Sequence, residues 1–199
     1  MVEEVAKLAD YADRLKKYMG SFIAAVNFFV WGMAIAGYWL IALLLGLHRM
    51  QWTIAVALMF TFVAFIVYLL ARVTPTPVKA VHIPREGLRW VLSFSIPFAV
   101  IYSIPKPSVF YSVFDWYFAL GIALLAVHFA VEREYVKKGL QIGTPFLFCG
   151  TAMLATSPLI VYAIIVKGYD AWLLSLGLVL LTYCGTGIYC VNKAWKLFF

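Results

Sequence analysis

Charge is what this sequence has least of. Asp, Glu, Lys and Arg together make up 13% of its residues, where a soluble globular domain carries about 25%. Hydrophobic residues make up 65%, and the mean hydropathy is +0.93. One soluble core of this size has no means of enclosing so much apolar surface. That excludes an ordinary water-soluble domain and points to the bilayer as solvent, where each span needs about 20 apolar residues.

Other absences exclude functions. The cysteines are Cys149, Cys184 and Cys190. They lie in apolar stretches without a CxxC pair, so neither a disulfide framework nor a zinc site follows, and each reads as a small buried hydrophobe. The amides are only Asn27, Gln51, Gln141 and Asn192, a depletion that weakly hints at a thermophile. A phosphate loop is missing: GTP at 143–145 and CGTG at 184–187 lack the GxxxxGK[ST] pattern. No serine, histidine and acid share a depth suited to an intramembrane hydrolase. No cofactor is expected, and catalysis is the less favoured reading. The first twenty residues carry charge throughout and do not resemble a signal peptide, so the N-terminus is expected to be retained.

Apolar runs are what remain. Residues 2–19 place Val5, Leu8, Ala12, Leu15 and Met19 on one helical stripe. This predicts a short amphipathic helix over residues 1–20 at the cytoplasmic membrane surface, with partner docking as an alternative. Six apolar segments follow: Phe22–Leu47, Trp52–Leu70, Trp90–Ile104, Phe110–Val131, Phe146–Val166 and Ala171–Val191. The expected fold is an all-α integral membrane protein, a six-transmembrane-helix bundle over residues 21–192, with a short tail at 193–199.

Charge placement predicts the orientation. Thirteen of the 16 basic residues fall in the N-terminal segment, the two longer connections and the C-terminal tail. The other three are Arg49, Lys106 and Lys167, in the short connections. By the positive-inside rule both termini are cytoplasmic, and the expected location is the cell membrane. The net charge of +7 then points to anionic lipid headgroups and not to nucleic acid.

A faint repeat runs through the chain. The short connections lead into Gln51-Trp52, Asp115-Trp116 and Asp170-Ala171-Trp172, and the helices so begun end in Arg72, Arg133 and Lys193. Three two-helix hairpins are one reading, and such repeats are common in transporters. The plainer reading is that any antiparallel bundle places tryptophan and basic residues at its interfaces.

Candidate functional residues are few. Pro97 and Pro158 interrupt the third and fifth segments, each removing a backbone hydrogen bond. Ser95, Thr156 and Ser157 stand beside them to bond the freed carbonyls, and Tyr102 and Tyr162 follow about a turn later. Together with Asn27 these are candidates for a substrate pocket or hinge, with simple kinked packing as the alternative. Asn27, the only amide inside a segment, is expected to bond a neighbouring helix. Asp115 and Asp170 are outer-interface acids that read as helix-starting residues, or else as carboxylates at a pore mouth. His128 and Glu132 stand at i, i+4 and read as a paired interfacial histidine, with half a metal site as the weaker alternative. His48 and His82 lie in connections. Small residues, among them Gly32, Ala36, Ala119, Ala123 and Gly187, predict close helix contacts.

Three functions fit. A small permease, channel or membrane subunit of a transport assembly is favoured. With no charge in mid-span, it would handle a neutral or apolar solute without ion coupling. A membrane scaffold or assembly partner, as a homo-oligomer or within a larger complex, comes next. A lipid-modifying enzyme using His82, His128, Glu132 and Glu134 comes third.

Overall fold

A computed structural model describes residues 2–44, 85–108, 111–167 and 170–197, with scattered helical positions between 54 and 72. The described residues are almost wholly helical, with no strand among them. The second expected segment, and with it Arg49, Gln51, Trp52, His48 and His82, lies largely outside them.

Helix α1 runs over Val2–Gly32, continues through a π turn at Met33–Gly37, and enters α2, Tyr38–Leu44. The expected division near residue 20 is not a break: the helix passes through Gly20 and Ser21 without interruption. Helix α3 spans Glu86–Ser103, α4 spans Tyr111–Val127, and a second π turn at His128–Glu132 leads into α5, Arg133–Lys137. Helices α6, Pro145–Lys167, and α7, Asp170–Trp195, complete the described fold.

Among the described residues, four stretches are long and apolar enough to cross a bilayer: Glu3–Ile41, Tyr111–Lys137, Pro145–Val166 and Ala171–Trp195. The expected third span is α3. Its 18 residues give a length of about 27 Å at the helical rise, and it opens with Glu86 and Arg89, which keeps it outside that set.

Among the described residues the helices pack in the series α3–α4–α6–α7–α1, each on the next, with α1 and α3 at its two ends. Small residues set the close approaches. A Cβ on Gly150 of α6 would lie 2.9 Å from the carbonyl oxygen of Gly121 on α4. Gly32 on α1 faces Tyr183 of α7, and Gly187 on α7 faces Phe29. Ala36, Ala119 and Ala123 are fully buried. The core also holds Tyr117, Leu124, Met153, Ile160 and Val179. The outer surface is apolar, with Ile41, Ile96, Val100, Tyr162, Ile165 and Leu181 all exposed, as lipid-facing positions are.

Candidate functional site

Polar side chains gather at one end of the bundle, called here the base. At its centre is Glu132, fully buried in the second π turn. His128 bonds its Oε2 through Nδ1 at 2.6 Å. Gln141 donates to Oε1 at 3.3 Å. The backbone N–H groups of Phe146 and Leu147 donate to Oε1 at 2.8 Å and to Oε2 at 3.3 Å.

These two N–H groups belong to the first turn of α6, which starts at Pro145. The first helical position suits proline, whose missing N–H would be unpaired there anyway. The next two donors need an acceptor, and Glu132 provides it from another helix, placing negative charge at the positive end of the dipole.

Two glycines bring the chain round to make this contact. Gly139 has φ 64 and Gly143 has φ 83, both in the left-handed region that favours glycine. Gly139 closes α5 in a Schellman motif: Leu140 N–H donates to Tyr135 O at 2.9 Å, and Gly139 N–H to Val136 O at 3.0 Å.

The same segment anchors the neighbouring helices. Ile142 N–H donates to Ser21 Oγ at 2.9 Å, and Lys16 Nζ donates to Lys138 O at 3.3 Å. A Cβ on Gly20 would fall on the Leu140 carbonyl oxygen, so α1 passes this loop at backbone distance. From α3, Arg89 donates to the carbonyl of Ala130 within the π turn at 3.1 Å. Tyr135 donates its hydroxyl hydrogen to Glu86 Oε1.

Above the base lies a cavity of about 830 Å³. It is bordered by α1, α3, α4, α5, α6, α7 and the 140–141 loop. Its walls are mainly aromatic and aliphatic, including Phe28, Trp31, Trp90, Phe94, Phe146 and Tyr183. Polar groups come from Asn27, Glu86, Tyr135 and Gln141. The rings touch in a connected lining: Trp90 meets Phe146 edge-on at 5.3 Å, and Phe28 lies 5.0 Å from Phe146 and 5.5 Å from Tyr183.

The structure separates most of the residues that sequence grouped as a pocket. Asn27 lines the cavity, and its amide donates to Ile23 O of its own helix at 3.0 Å. Ser95, Tyr102, Pro158 and Tyr162 face outward, Tyr162 with 67% of its surface exposed. Pro97 and Ser157 are buried, yet neither borders the cavity. Ser157 does serve the proline: its Oγ donates at 2.8 Å to Leu154 O, the carbonyl freed by Pro158. Thr156 bonds Tyr117 OH at 2.7 Å, linking α6 to α4.

Asp115 is not a helix-starting residue. Helix α4 begins at Tyr111, which puts Asp115 one turn inside, where it pairs with Lys106 at 2.7 Å. Lys106 also lies over the Tyr102 ring at 4.3 Å. Asp170 is the first residue of α7, and its side chain is outside the described set. His128 and Glu132 are paired as expected. Among the described residues no third ligand joins them to make a metal cluster.

Sequence reasoning missed the cavity, Glu86 with Tyr135, and Gln141 with Glu132. Only the i, i+4 spacing of His128 and Glu132 signalled any of this. No family model, no curated protein and no solved structure matches the chain.

Proposed function

We propose that the chain is a six-span protein of the cell membrane with both termini cytoplasmic, and that it acts as a small permease or the membrane subunit of a transport assembly. The aromatic cavity between α1 and α3 is the observation that carries this reading. Its volume of about 830 Å³ lies within the range of pockets that enclose drug-sized molecules. The solute would have a mainly apolar body, and its passage would not be coupled to an ion. The base then lies at the cytoplasmic interface, with the basic connections against anionic headgroups. The hairpin repeat stays part of this proposal.

Protein reconstituted in liposomes should pass small apolar solutes. Ala24, small and on the cavity wall, provides the block: Ala24→Trp should abolish flux. Unchanged flux in folded Ala24→Trp would sink the assignment. For topology, a cysteine placed at Lys106 should react with an impermeant reagent from outside. Labelling from inside alone would reverse the orientation.

The scaffold reading keeps one observation in its favour. Val5, Leu8 and Leu15 are exposed along the first turns of α1, an apolar stripe beside three i, i+4 ion pairs. A partner that co-purifies with the full chain and is lost on Leu8→Asp would favour it. The lipid-modifying enzyme gains nothing from the geometry, since the oxygens of Glu132 are taken up by the first turn of α6, His128 and Gln141.

A further inference from the structure

The cavity's chemistry narrows the class of molecule it takes. Among its described lining residues Glu86 is the one that carries charge, and that charge is negative. No lysine or arginine among the described residues forms an ion pair with Glu86. Arg89, three residues along the same helix, is turned to the Ala130 carbonyl instead. Tyr135 holds one oxygen of the carboxylate in place by its hydroxyl.

Above the carboxylate, the walls are largely aromatic. Trp90 lies one turn beyond Glu86 on α3 and Phe94 one turn beyond that, their rings stacked with centroids 6.2 Å apart. Trp31, Phe28 and Phe146 complete the aromatic lining. Aromatic faces carry negative quadrupole density and attract organic cations, most strongly where water is excluded. Among the described lining residues, an anion would meet a carboxylate and aromatic side chains with no compensating positive charge. A hydrated metal ion would find a single carboxylate and apolar walls, far from the six or more oxygens such ions require.

Length adds a second constraint. From Gly20 at the base to Ile35, both on the cavity wall, the helical rise gives about 22 Å. The polar groups of Glu86, Tyr135 and Gln141 sit at the basal end, Asn27 stands about two turns further along α1 with its amide bonded to Ile23 O, and the other described walls are apolar. A molecule with a cationic head and an apolar body matches both ends.

We infer that this cavity binds lipophilic organic cations, with Glu86 as the counter-charge and Trp90 and Trp31 as ring partners. The inference rests on the cavity being the solute site proposed above.

Tetraphenylphosphonium is the probe. Its equilibrium binding is measured on the full chain in lipid nanodiscs, with empty nanodiscs subtracted. Neutral triphenylphosphine oxide is the comparison. Saturable tetraphenylphosphonium binding is expected, weakened at least about tenfold by Glu86→Gln, the equivalent of 1.4 kcal/mol. Glutamine can still accept the Tyr135 hydrogen bond, so the helix contact is kept. Triphenylphosphine oxide binding should be the same in both proteins.

Where Glu86→Gln fails to fold, Trp90→Leu takes its place and should weaken tetraphenylphosphonium several-fold more than the neutral probe. Absence of saturable binding, equal affinity in wild type and variant, or equal loss of both probes would each overturn the inference. The liposome flux of neutral solutes reads the permease assignment separately. Flux without cation binding defeats this inference alone, and cation binding without flux defeats transport alone.

Discussion

Glu132 is the position whose loss the structure makes most costly. In Glu132→Ala, four donors lose their acceptor in a place water does not reach: His128 at 2.6 Å, Phe146 N–H at 2.8 Å, and Leu147 N–H and Gln141 at 3.3 Å each. Losing a helix cap alone costs about 1 kcal/mol. Each buried donor left without a partner costs about 1–3 kcal/mol. The two short contacts carry most of this, and the two long ones have less to lose. The expected destabilisation is about 3–5 kcal/mol, the range found when one partner of a buried charged pair is removed. For a chain of this length that is a fall in melting temperature of roughly 6–20 °C.

The protein supplies its own reporters. Cys149 and Cys190 are buried free thiols, so a thiol-reactive dye in detergent follows unfolding directly. Glu132→Gln keeps the shape and one acceptor oxygen, and should lose about half as much. Because His128 and Glu132 are in contact, their effects should not add. His128→Ala made on top of Glu132→Ala should cost less than it does alone, by at least about 0.5 kcal/mol. A melting temperature for Glu132→Ala within 2 °C of wild type (roughly the shift for 1 kcal/mol) would refute the assignment of Glu132 as the cap of α6. Fully additive behaviour with His128 would refute the pairing.

Three further outcomes follow from the packing. Gly20→Ala drives a methyl group into the Leu140 carbonyl and should destabilise by about 2 kcal/mol or more. Gly87→Ala, with nothing within 4 Å of the added carbon, should gain up to about 1 kcal/mol from helix propensity. Paired thermal melts of these two variants test the close approach of α1 to the loop. Ser157→Ala should cost about 1 kcal/mol in wild type and close to nothing in a Pro158→Ala background, where Leu154 O regains a backbone donor; equal costs in both backgrounds would disprove the repair role. Lys106→Ala leaves Asp115, only 9% exposed, without its counter-charge, and should lower the melting temperature, with Asp115→Asn restoring part of the loss.

How much of this was legible in the sequence depended on range. The apolar runs over 110–131, 146–166 and 171–191 announced themselves because charge interrupts them on either side. The His128–Glu132 and Ser157–Pro158 relations were readable because both lie within one turn. The helix runs on past residue 20 because nothing there stops it. A single glycine costs about 1 kcal/mol, and here Gly20 is needed for the approach of Leu140. Which of the grouped residues share a face was not legible for a different reason. In a helix that is apolar all round, periodicity does not say which face turns inward. Ser95 and Tyr162 sit on the proline-containing helices as expected, but on their outer faces. The link from Glu132 to Phe146 crosses 14 residues and depends on the left-handed turns at Gly139 and Gly143, which the sequence marks only as glycines.

The arrangement of the base explains why a cavity exists at this place. Helices α1 and α3 are the two ends of the packing series, and each is tied to the 128–147 segment by its own contacts. For α1 these are Lys16 to the Lys138 carbonyl and Ser21 to Ile142 N–H. For α3 they are Arg89 to the Ala130 carbonyl and Glu86 to Tyr135. The separation of α1 and α3 at the base is therefore set by a polar framework between them. Further along, aromatic side chains line the space where direct helix contact would otherwise be. A bundle held together by apolar packing alone gains by closing such a space, because every lost contact counts against it. Here closure would require giving up buried hydrogen bonds around Ala130, Glu132 and Leu140, which are costly to break in a low-dielectric interior. The same residues that end one helix and start the next thus hold the cavity open, and the carboxylate of Glu86 is placed at its basal end by belonging to that framework.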